Sequence, residues 1–69
     1  MAKVIKVIEL LTQSEKSWED AAQNALSEAS KTLRNIRSIY VKHFEACVEN
    51  GKITQYRVNV KISFEFEAT

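Results

Sequence analysis

The stretch Gln55-Tyr56-Arg57-Val58-Asn59-Val60-Lys61-Ile62-Ser63-Phe64-Glu65-Phe66 decides the fold. Tyr56, Val58, Val60, Ile62, Phe64 and Phe66 alternate without a fault with polar residues. Successive side chains of a strand point to opposite faces, so this pattern predicts a strand with one covered face. Just upstream, Asn50-Gly51 is a hairpin signal, because both residues tolerate positive φ. The partner strand is then Ile36 to Glu49.

That partner is irregular. Ile39 and Val41 share one parity, while Phe44, Ala46 and Val48 share the other. A period-two strand cannot put both sets on one face. A bulge near Lys42–His43 reconciles them. The register that keeps the faces matched pairs Phe44 with Val58, Ala46 with Tyr56 and Glu45 with Arg57. A three-residue turn with Gly51 as the bulge glycine would produce it.

Further upstream, Trp18, Ala21, Ala22, Ala25, Ala29 and Leu33 recur at steps of three and four. This spacing predicts an amphipathic helix from about Ser17 to about Arg34, stopped at Asn35. Ser14 or Ser17 is the candidate cap, and Ser17 has a capping-box-like spacing to Asp20. A contact face of alanines lets the helix lie close to a sheet. Lys3 to Leu11 is rich in Val and Ile and is expected to be a strand. Thr12-Gln13-Ser14 is expected as a polar break. The order β–α–β–β, with the last strand central, makes the sheet antiparallel: an α+β fold of three strands and one helix, in a single domain spanning residues 1–69.

The chain is too short to bury a large core alone. Cys47 is the only cysteine and His43 the only histidine, so disulfides and a Cys/His zinc site are excluded. Oligomerisation is the remaining way to stabilise so small a domain. A helix of about 18 residues spans roughly 27 Å, and strands of about 14 residues roughly 45 Å. The helix cannot cover the sheet, and Phe64 and Phe66 lie where the surplus falls. A net charge of +1 argues against nucleic acid as a partner. Nothing approaches a membrane span. A lone thiol and the absence of an export-signal pattern point to the cytoplasm.

Several pieces together resemble the dodecin family: Lys3-Val4-Ile5-Lys6-Val7-Ile8-Glu9-Leu10, Ser14-Glu15, Ala21-Ala22, Lys31-Thr32-Leu33-Arg34, Val41-Lys42 and the alternating Tyr56–Glu67 segment. The resemblance implies a hollow homododecamer that binds or stores a small ligand and is not an enzyme. It implies a flavin site between subunits, built in that family on a stacking Trp, an Arg and a Gln. Those positions fall here on Ser38, Glu45 and Arg57. All three depart, so the flavin-stacking contact is lost and FMN or riboflavin is expected to bind weakly. The chain is also similar to one subgroup, the calcium dodecins, through Ser17-Trp18-Glu19, Ala21-Ala22, Ile36-Arg37 and Gly51-Lys52-Ile53-Thr54, and that similarity implies Ca²⁺ as an alternative ligand. A ligand-free structural shell is a third reading.

Each singled-out residue also has a plainer reading. Trp18 at the first helical turn reads as a packing anchor rather than a ligand platform. His43 reads as structural and Cys47 as a small buried hydrophobe. Glu45 with Arg57 reads as a cross-strand pair. Lys3, Lys6, Lys31 and Arg34 read as a solvated basic surface, although the resemblance allows contacts to a coenzyme A-like phosphate. No catalytic triad, nucleophile elbow or glycine-rich phosphate loop is present in a chain with one His, one Cys and one Gly.

Overall fold

The computed structural model describes residues 2–68. Strand β1 (Ala2–Ser14) is followed by helix α1 (Trp18–Ala29), strand β2 (Ile36–Glu49) and strand β3 (Lys52–Ala68). The sheet order is β1-β3-β2, and both pairings are antiparallel. The most regularly alternating strand is therefore the central one.

β1 runs through the expected break to Ser14, three residues beyond the expected strand end at Leu11. The polar residues are part of the ladder because each is satisfied there. Thr12 Oγ1 donates to the Ala21 carbonyl at 2.7 Å. The buried Ser14 hydroxyl donates to Asp20 Oδ2 at 2.6 Å and accepts from the Lys16 amide at 2.9 Å. Gln13 points to the opposite face. The helix N-terminus thus supplies partners to a strand end that sequence periodicity reads as a break.

Ser17 is the N-cap; its hydroxyl accepts from the Asp20 amide at 3.0 Å. Glu19 and Asp20 sit in the first turn, where the helix dipole favours negative charge. The helix ends at Ala29, five residues before the expected end at Arg34. Ser30 caps it, its side chain and backbone N–H both bonding to the Leu26 carbonyl. Lys31 and Thr32 then make bonds three residues back, to Glu28 and Ala29, which tightens the chain into turns. Leu33 still packs against the core, so its apolar spacing persists after the helix has stopped. Lys31 and Arg34 consequently lie outside the last turn, which carries no basic residue. Asn35 takes a positive φ of 58° and marks the entry to β2.

The core is a thin layer. Ala21, Ala25 and Ala29 of α1 meet Val58, Val60 and Ile62 of β3, and all are essentially inaccessible. Ile8, Leu10, Ala22, Leu33, Ile36, Ile39 and Val41 surround them. Each of the three large β3 side chains contributes on the order of 1.5–3 kcal/mol by its burial. Alanine at the helix contact brings backbone and sheet close, which is what makes so small a layer dry.

β2 joins β3 in the expected register: Phe44↔Val58, Glu45↔Arg57, Ala46↔Tyr56. One irregularity falls between Val41 and His43, where the two apolar parities had to be reconciled, and another between Ile36 and Ser38. The turn is a correction. It has two residues, Asn50 (φ 51°) and Gly51 (φ 75°), closed by Glu49↔Lys52. The third register shift lies where Cys47↔Gln55 gives way to Val48↔Ile53. Thr54 is therefore the additional residue, on β3 and not in the turn, and its hydroxyl donates to the Cys47 carbonyl.

A helix of 12 residues covers roughly 18 Å of a molecule 55 Å long. Apolar side chains remain uncovered beyond both of its ends: Phe44, Val48 and Ile53 toward the hairpin, Phe66 at the other end. Ile5, Val7, Leu11 and Tyr40 are exposed too, on the face away from the helix. No helix among the described residues is long and apolar enough to cross a membrane.

Candidate ligand-binding face

The face of the sheet opposite the helix is built from the alternate residues of each strand. Register sets Gln13, Arg57 and Glu45 in one row and Leu11, Asn59 and His43 in the next. Glu9, Lys61 and Tyr40 follow, then Val7, Ser63 and Ser38. Nearly every chemically interesting side chain of the chain stands on this face.

In the first row Arg57 is held from both sides. Its Nε and Nη2 donate to Gln13 Oε1 at 3.2 and 3.1 Å, and its Nη1 meets Glu45 Oε1 at 3.3 Å. The Arg57 side chain is about one-third exposed and that of Glu45 well exposed, so the pair is strongly screened. An open groove of about 300 Å³ lies here, lined by Leu11, His43, Phe44, Glu45, Arg57 and Asn59. Asn59 hydrogen-bonds Glu9, and with Lys42 and Lys61 nearby this holds the Glu9 carboxyl below its usual range. Lys42 Nζ stands 3.6 Å from Glu9 Oε2. The Asn59 Oδ1 is buried without a partner among the described residues.

Ser38 lies elsewhere. Its hydroxyl bonds that of Ser63, directly across the strand pair. It lines a second groove, of about 360 Å³, with Leu26, Ser30, Ile36, Arg37 and Ile39. Ser63 and Arg57 are six positions apart on β3, roughly 20 Å along a strand. The fold therefore brings Glu45 and Arg57 together and keeps Ser38 far from both within one chain. Sequence reading missed Gln13 and Ser63 as the partners of these residues. Ser63 was legible in the alternation of β3; Gln13 was not, because it sat in the expected break.

Trp18 behaves as an anchor. Its ring stands edge-on to Phe44 and Tyr56, with centroids 5.9 and 4.9 Å away, and Nε1 donates to the Glu45 carbonyl at 3.1 Å. His43 is exposed on the groove rim, and Cys47 is half-buried rather than buried. Among the described residues no three His, Cys, Asp or Glu side chains converge as a metal site would require.

The family model described as Dodecin matches residues 4–67. This chain belongs to the dodecin family. It is 36% identical over 69 residues to the dodecin of Thermus thermophilus, with both chains covered completely. It is 38% identical over 63 residues to the calcium dodecin of Mycobacterium tuberculosis, covering 90% of this chain and 87% of that one. Solved structures agree with the strand order and helix placement of a dodecin. A crystal structure of a Thermus thermophilus protein superimposes with a TM-score of 0.92 at 35% identity, over 99% of this chain and 100% of the other. The structure of the Mycobacterium tuberculosis calcium dodecin, described as a calcium-chelating antigen, superimposes with a TM-score of 0.81 at 34% identity, over 96% of this chain and 94% of the other.

Proposed function

We propose that this dodecin is a subunit of a homododecameric particle that holds a small ligand between copies, with the flavin-stacking contact replaced. The carrying observation is the separation of Ser38 from the Glu45–Arg57 pair. Groups about 20 Å apart on one strand cannot grip one small molecule within a single chain, so a site that uses all three takes them from different copies. The uncovered Phe44, Val48, Ile53 and Phe66 supply the apolar surface for such contacts.

Ser38 offers a hydroxyl already engaged with Ser63, where a stacking ring would be needed. Stacking contributes about 0.5–1.5 kcal/mol beyond buried area. Glu45 and Arg57 satisfy one another across the strands. The expected behaviour is binding of a small molecule without strong flavin affinity, with no catalysis. Titrating FMN with the protein tests this: flavin fluorescence should persist at micromolar protein, and Ser38→Trp should increase quenching. Strong quenching by the unsubstituted protein would overturn the proposal.

A calcium reading is supported by the likeness to the Mycobacterium tuberculosis calcium dodecin. Calcium takes six to eight oxygens, and among the described residues of one chain no three Asp or Glu carboxylates converge to supply part of such a set. Calorimetry against an EDTA-treated sample decides between the readings, since heat at micromolar calcium would favour a site shared between copies.

A further inference from the structure

The hairpin tip carries chemistry that the ligand face does not use. Strand pairing stops at Glu49↔Lys52, so the Asn50 and Gly51 backbones lie outside the ladder. Both take positive φ, 51° and 75°, as a tight two-residue turn requires. Both residues are exposed. No hydrogen bond among the described residues holds the Asn50 amide, and an added side chain at Gly51 would meet nothing within 4 Å. An unpaired backbone nitrogen thus follows directly on an unheld carboxamide, with no side chain to shield it.

We propose that Asn50–Gly51 is a self-modification site that converts an amide turn to an acidic one. The Gly51 backbone nitrogen, on losing its proton, attacks Asn50 Cγ. A nitrogen–carbon bond forms, the bond from Cγ to the side-chain nitrogen breaks, and that nitrogen leaves as ammonia. Water then opens the resulting five-membered imide at either carbonyl. One opening gives Asp; the other gives isoaspartate, with an additional backbone carbon in the turn. Only water is consumed.

The place of the turn gives the change a consequence. Hairpin tips open locally at little cost, which lets the nitrogen reach Cγ. The isoaspartyl backbone no longer fits a two-residue turn with both φ positive, so the Glu49↔Lys52 and Val48↔Ile53 pairs loosen first. A new carboxylate also appears beside Glu49, next to the exposed Val48 and Ile53.

Incubating the intact protein at body temperature in mildly alkaline buffer, followed by peptide mass mapping, tests this. The segment containing Asn50 should show the mass gain of amide-to-acid conversion, as a mixture of Asp and isoaspartate. Asn50→Asp should show none. Hydrogen exchange of residues 48–53 should quicken several-fold in the isoaspartyl fraction relative to Asn50→Asp. An amide retained at Asn50, under conditions that convert a free peptide of the same local sequence, would overturn the site. Unchanged exchange in the isoaspartyl fraction would overturn its effect on the turn.

Discussion

The Trp18 indole Nε1 donates to the Glu45 carbonyl at 3.1 Å, fastening the first helical residue to an edge strand. The bond satisfies an acceptor on an unpaired strand edge, and the ring fills the space beside Tyr56 and Phe44. Trp18→Phe keeps an aromatic ring and loses the donor, so it should cost about 1 kcal/mol. Trp18→Ala also removes the packing. The residue is 37% exposed, so the loss should fall below the roughly 3–5 kcal/mol of a fully buried Trp. Denaturant unfolding of both variants checks the order.

The alanine stripe is a second test. Ala25 has no accessible surface and lies in the cluster with Val58, Val60 and Ile62. A larger side chain there must push the helix off the sheet. Ala25→Leu should destabilise by about 1–3 kcal/mol even though it adds apolar surface. Ala22, at the partly buried edge of the same cluster, should tolerate Val with a smaller loss. Thermal melts of the two variants compare them directly.

For the Arg57 row, the geometry predicts modest coupling. Both Glu45 and Arg57 reach solvent, so a double-mutant cycle on Glu45→Gln and Arg57→Gln should give about 0.2–1 kcal/mol. Removing Gln13 should weaken the pair further, because it holds two of the Arg57 donors. Added salt should shrink all these differences.

Glu9 sets a pH dependence. The hydrogen bond from Asn59, then the Lys42 and Lys61 charges, lower its pKa in the folded chain. A lowered carboxylate pKa means the folded state favours the ionised form. The contribution is fully present above the unfolded value, ordinarily about 4.3, and is lost as pH falls through the lower native value. NMR titration should place the Glu9 midpoint below the ordinary glutamate value, and Asn59→Ala should raise it.

Much of this fold was legible in the sequence, for identifiable reasons. β3 alternates strictly because one face is packed, and the parity clash in β2 demanded a bulge, which falls between Val41 and His43. The register followed from keeping faces matched. The turn did not, since a bulge at Thr54 and a longer turn give the same pairs and differ only in local backbone. The helix end was hidden because Leu33 packs as if the helix continued. The strand end at Ser14 was hidden because its hydroxyl is satisfied outside the strand, by Asp20 of the helix and by the Lys16 amide. The Glu45–Arg57 pair was readable from register alone. The distance from Ser38 to that pair became visible only once strand lengths and pairings were laid out.

The central claim is that uncovered apolar surface on a sheet longer than its helix is hidden by further copies of the chain. Sedimentation equilibrium at low protein concentration measures this directly. A homododecamer many times heavier than the 7.9 kDa chain is the expected result, and Phe44→Glu should shift it toward smaller species. A folded, compact particle with the mass of one chain would contradict the account.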